Sequence, residues 1–145
     1  MLDANDKANL RLVAWKEARA EGLGAMICVM KICLNRVGKP GFAKILHDVI
    51  YGKNQFTSMS VPSDPEFNLD PAKALGADLE SWNGSAYLAD NVETTDDPTN
   101  GALYYENPKT SEDDGWFERN IAGADHQGVG EHKLLRVIGH HYFYS

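Results

Sequence analysis

The sequence predicts an α+β fold, mostly α, with a small antiparallel β-ribbon near its end. Three observations lead there. Apolar residues recur at helical spacing in several segments before residue 95. Dense aromatic and β-branched runs occur only at GALYYEN, 101–107, and RVIGHHYFYS, 136–145. No internal repeat or linker divides the 145 residues, and a chain of that length buries roughly 68–70% of its unfolded surface as one domain. A single domain over 1–145 is expected.

From Ala4 to Ala20 the apolar stripe Leu10, Val13, Ala14 and Ala18 defines an amphipathic helix, with Lys7, Arg11 and Arg19 largely off it. Gly22 and Gly24 punctuate its end. GAMICVMKICLNRV, 24–37, is apolar almost all round apart from Lys31, Asn35 and Arg36, the pattern of a buried central helix. Pro40 and Gly41 break the chain, and Phe42, Ile45, Leu46, Val49 and Ile50 then restore helical spacing for a third, short helix. Residues 53–71 hold scattered Pro, Ser, Asp and Asn without a sustained period, so a long irregular connection is expected, of the kind that in compact domains is usually functional or disordered. A last helix follows within 72–94, with Leu75, Leu79, Trp82, Ala86 and Ala89 on one side. After the turn DDPTNG, the two aromatic runs read as two strands pairing antiparallel, and 108–133, acidic and rich in Gly, reads as a mobile loop.

Composition excludes several function classes. A formal charge of −7 opposes a nucleic-acid partner, since phosphate binding draws on clustered Lys and Arg. No run approaches the ~20 apolar residues of a membrane span. The opening MLDANDKANL lacks the basic and apolar blocks of a secretory signal, so synthesis in the cytoplasm without a signal peptide is expected. Cys28 and Cys33 project about 140° apart on a helix, which makes them buried thiols rather than a disulfide.

Glu17 falls on the stripe of Leu10 and Val13, so the helix carries a carboxylate toward the core. An ionised carboxylate there needs a partner or a cleft. One reading is a buried ion pair, for example with Arg36; the other is a general acid in a poorly solvated site, as glycosidic cleavage requires. Lys16, Arg19 and Glu21 read as solvated charges or local ion pairs. His126, His132, His140 and His141 with Asp125 match no zinc spacing, no HExxH occurs, and His140 and His141 in one strand would face opposite ways, so no metal site is expected. Nor do GxSxG, GxGxxG or Walker-type loops appear. The aromatics Phe56, Tyr104, Tyr105, Trp116, Phe117, Tyr142, Phe143 and Tyr144 suit core or ribbon packing, and some suit a groove for sugar rings.

Taken in order, EAR at 17–19, LNRV at 34–37, VIYGKNQFT at 49–57, DPTNGALYYENP at 97–108 and IGHHYFY at 138–144 resemble the bacterial cell-wall hydrolase family, which includes the spore cortex-lytic enzymes. The resemblance implies a lysozyme-like, mostly helical domain cutting peptidoglycan glycan strands between N-acetylmuramic acid and N-acetylglucosamine. It carries the catalytic glutamate over to Glu17 and offers Gln55, Phe56, Thr57, Tyr104, Tyr105, Asn107 and His141 as substrate-binding residues. Lytic transglycosylation by one carboxyl group, with no cofactor, is implied. Glu106 stands where an aromatic residue or His is more usual, and is a candidate second carboxylate for lysozyme-type hydrolysis if it lies ~5–9.5 Å from Glu17. Ala20 and Glu21 stand where the family commonly has Gly and Glu after EAR. The expected partner is the peptidoglycan strand, met at the cell wall by a monomer delivered through a holin or a secretion system. A catalytically silent binding domain and a zinc-dependent amidase are the readings from other classes.

Overall fold

The computed structural model describes residues 1–109 and 115–145. They form two units, 1–98 and 99–145.

In the first unit, Asp3 caps helix α1 (Ala4–Ala18): its carboxylate accepts from the Asp6 backbone N–H at 2.8 Å, and Asp6 returns the bond to the Asp3 N–H at 3.1 Å. The helix buries Leu10, Val13, Ala14 and Ala18 as its spacing predicts, but also Trp15 and Lys16, so its last turn is enclosed on nearly every side. Gly22, at φ 98°, turns the chain into α2 (Leu23–Arg36), a conformation that favours glycine. α2 is the central helix expected, buried continuously from Met26 to Cys33. Lys31 is buried within it because its ammonium donates to the Val92 carbonyl at 2.6 Å.

The third helix is shorter than its apolar spacing implies. α3 spans Leu46–Tyr51, while Phe42 lies in a turn closed by the Gly38 N–H donating to the Ala43 carbonyl at 2.8 Å. Phe42 still packs inward, its ring 5.0 Å below the Arg36 guanidinium. The stretch expected to be irregular contains one helical turn, α4 (Thr57–Ser60), held by burial of Phe56, Ser58 and Met59. α5 (Gly76–Asn91) packs only the later part of the face predicted, with Trp82 and Ala86 half-buried. Leu75 and Leu79 are exposed, whereas Ser85 and Ala89 are buried and Gly84 sits under Leu23. Arg11 holds this face. Its guanidinium lies 3.6 Å over the Trp82 ring and donates to the Trp82 carbonyl at 2.6 Å and to the Ser85 hydroxyl at 3.0 Å. Among the described residues, no helix is long and apolar enough to cross a membrane.

The second unit holds a three-stranded antiparallel sheet in the order β1 (Tyr104–Glu106), β3 (His141–Tyr144), β2 (Leu134–Ile138). The expected ribbon between GALYYEN and the terminal run is the β1–β3 pair, with Tyr105 opposite Phe143. The terminal run is two strands rather than one, because Gly139 at φ 59° and His140 turn it back as a hairpin. Histidines 140 and 141 therefore do not alternate along one strand. In the segment expected as a loop, residues 110–114 lie outside the described residues; beyond them a helical turn through Glu118–Ala122 buries Ile121 and Ala122. These two pack with Tyr144, Tyr104, Phe117, Leu134 and Tyr142 into the core of this unit.

Candidate functional site

Glu17 occupies the last turn of α1, half-buried as its spacing predicts. Its Oε2 accepts a hydrogen bond from the Ser58 hydroxyl at 2.7 Å. Ser58 was not a candidate from sequence, and it is almost wholly enclosed. A short turn 41 residues away thus supplies the carboxylate's hydroxyl donor. Arg36, the ion-pair partner considered for Glu17, stacks its guanidinium 5.0 Å from the Phe42 ring and 5.2 Å from the Phe56 ring. Both Glu17 and Arg36 act electrostatically on Cys33, whose thiol burial pushes up to about 12.

Two charges beside Glu17 do not stay in solvent as expected. Lys16 is 8% exposed, and its ammonium donates to the Ser58 carbonyl at 3.2 Å and the Phe67 carbonyl at 2.8 Å. Burial lowers its pKa, with Asp64 and Glu66 acting in the opposite direction. Arg19 reaches Glu66 at 2.7 Å and Asp78 at 3.3 Å, with its guanidinium 4.9 Å from the Trp15 ring. Burial works against the Arg19 charge, and the two carboxylates more than offset it, raising its pKa. Local spacing cannot reveal the Lys16 carbonyl acceptors or the Arg19 carboxylate partners, which lie more than 40 positions away.

The QFT candidates take three different situations. Gln55 is half-buried, and its Oε1 is enclosed with no hydrogen-bond donor among the described residues. Phe56 is buried under Arg36, a packing position. Thr57 is exposed and donates to the Asp64 carboxylate.

In the second unit the strand alternation sorts the remaining candidates. Tyr105 stacks with Phe143 at 6.2 Å and tilts toward His141 at 6.2 Å, so these three share one face. Tyr104 points to the other face, edge-on to His132 at 5.1 Å and Phe117 at 6.5 Å. The adjacent tyrosines are therefore not a pair. Glu106 shares the face of Tyr104; its side chain is only 10% exposed, and its Oε1 lies 3.7 Å from His126 Nδ1. Burial, reinforced by Glu106, Tyr142 and Asp125, pushes the Tyr144 hydroxyl up to about 12. Asn107 turns its Oδ1 to the Lys109 N–H at 3.0 Å. Among the described residues no group of three His, Cys, Asp or Glu side chains is placed to hold a metal ion.

The chain belongs to the cell wall hydrolase family, whose model matches residues 20–144. That match begins beyond Glu17 and assigns it no role. A spore cortex-lytic enzyme of Halalkalibacterium halodurans is 30% identical over 114 residues, which is 78% of this chain; the chain spans 30% of that relative's length. The fold is shared with the catalytic domain of the germination-specific lytic transglycosylase SleB of Bacillus anthracis, at a TM-score of 0.63 and 22% identity over 99% of this chain and 97% of that one. The catalytic domain of the Bacillus cereus SleB protein gives 0.62 and 21% over 100% and 93%. The expected fold class, α+β and mostly α, agrees with both.

Proposed function

We propose that this chain cleaves peptidoglycan glycan strands between N-acetylmuramic acid and N-acetylglucosamine by lytic transglycosylation, with Glu17 as the general acid and base. The observation that carries the reading is the half-buried Glu17 carboxylate with its Ser58 donor, in a chain of the cell wall hydrolase family. Protonated Glu17 gives its proton to the bridging oxygen as the glycosidic bond breaks. The resulting carboxylate then takes the proton of the muramic acid 6-hydroxyl as that oxygen attacks the anomeric carbon, closing a 1,6-anhydro ring. Because the nucleophile belongs to the substrate, no water needs activation, and the neighbouring acetamido group helps to stabilise the oxocarbenium-like centre. One carboxyl group is then enough.

Four further candidates extend the proposal. Thr57 and Gln55 are taken as hydrogen-bonding groups for sugar hydroxyls and acetamido groups, and Tyr105 with His141 as an aromatic surface for a sugar ring. The chain is treated as one catalytic domain over 1–145, because the family match runs through both units. Glu17→Gln is expected to fold with an unchanged melting temperature and to lose at least about 100-fold in clearing of purified peptidoglycan. Mass spectrometry of the soluble products should find 1,6-anhydro ends. Reducing ends would instead mean hydrolysis, freed stem peptides an amidase, and full activity of Glu17→Gln would remove Glu17 from the mechanism.

A further inference from the structure

We propose that Lys16 is a positioning residue for Glu17, clamping the 58–67 segment onto the end of α1 so that Ser58 holds the carboxylate in a single orientation. The proposal rests on the reading of Glu17 as the acid. Ser58 joins the two charges: its carbonyl accepts from Lys16 at 3.2 Å and its hydroxyl donates to Glu17 at 2.7 Å. The same ammonium bonds the Phe67 carbonyl at 2.8 Å, so one cation ties both ends of a ten-residue segment. It also lies 5.6 Å from the Phe67 ring.

The segment needs that tie. α4 is a single turn, far below the length at which a helix persists by itself, so tertiary contacts must set where Ser58 stands. An apolar side chain would fill the space around Lys16 without the desolvation cost of an ammonium. It would not bind two carbonyls. Asp64 and Glu66, within the clamped segment, favour the Lys16 charge, and Arg19 adds a second tie through Glu66 at 2.7 Å. Side chains 16, 17 and 19 thus all grip residues 58–67. From α2, Cys33 lies within electrostatic reach of the Glu17 carboxylate, and Arg36 within reach of Cys33.

The test uses the full chain on soluble glycan strands, with kcat and KM measured across the pH range. A hydroxyl donor favours the charged carboxylate, whereas the first chemical step requires the protonated one. Loosening Ser58 therefore moves the alkaline limb of the kcat/KM profile upward, by on the order of half to one pH unit. Lys16→Met is expected to lower kcat about tenfold with KM changed less than about twofold, and Lys16→Arg, which keeps donors for carbonyls, to recover most of it. Ser58→Ala should reproduce the limb shift, and the double variant should lose less than the product of the two single losses. Lys16→Met with the unmodified kcat and profile overturns the proposal, as does a loss that only tracks the unfolded fraction. Where Lys16→Met melts too early to assay, an unmoved limb in Ser58→Ala overturns it equally. An active Glu17→Gln defeats the underlying reading of Glu17 instead, so the two failures are told apart.

Discussion

Alkaline pH should destabilise the first unit through its two buried thiols. Cys28 and Cys33 are free, 3% and 0% exposed, and burial pushes their thiols up from 9.0 to about 11 and about 12. Asp97 reinforces the rise at Cys28; at Cys33, Arg36 opposes it and Glu17 adds to it. A group whose pKa is raised on folding supplies stability that is complete below its unfolded value and is lost as pH climbs toward its folded value. In the unfolded chain the thiols ionise from about pH 9. From about pH 8 to about pH 10.5, each therefore gives up roughly 2 kcal/mol, about 4 kcal/mol for the pair. Urea unfolding under reducing conditions, followed by tryptophan fluorescence, measures this directly: Trp15 is buried in the same unit and Trp82 stands beside it at 5.7 Å. The control is Cys28→Ala/Cys33→Ala, which keeps every other titrating group. Its stability should fall less by about 4 kcal/mol over that interval. Parallel curves for the two proteins would show that the thiols ionise equally in both states and would refute the reasoning.

Two glycines give opposite expectations. A Cβ on Gly128 would lie 2.0 Å from the His132 carbonyl oxygen, at φ 110°, so Gly128→Ala should cost about 3 kcal/mol or more and lower the melting temperature of the second unit; a variant that melts within a degree of the parent would count against this. In α5, a Cβ on Gly84 meets only the methyl ends of Leu23, at 2.8 and 3.1 Å, and Leu23 is 45% exposed and free to swing aside. Gly84→Ala should be neutral to stabilising by up to about 1 kcal/mol from helix propensity, and a loss above that in urea unfolding would mean Leu23 is locked.

How far the sequence could be read follows from where each side chain finds its partner. α1 and α2 were legible because apolar spacing and burial coincide there, and the depth of Glu17 followed from the same rule. Lys16 and Lys31 escaped it. Each buries an aliphatic stem and satisfies its ammonium on backbone carbonyls more than 40 residues away, which no local pattern encodes. On α5 the expected face holds at Trp82 and Ala89 and fails at Leu75 and Leu79, which stay exposed at the start of the helix while Arg11 binds Trp82 and Ser85. In the sheet, the aromatic runs located the strands, but the hairpin depends on a single positive-φ glycine inside an aromatic and β-branched run. Ser58 had no signal of its own: a serine among Thr, Met and Ser in a proline-rich stretch becomes special only when α4 meets α1.

That meeting also has an order in time during synthesis. The Ser58 hydroxyl that bonds the Glu17 carboxylate is added 41 residues after it, and the Phe67 carbonyl that anchors the segment later still. Contacts of that separation cost loop-closure entropy and need both ends of the loop to be present. A nascent or partly unfolded chain therefore carries the Glu17 carboxylate without the hydroxyl that holds it in the folded protein.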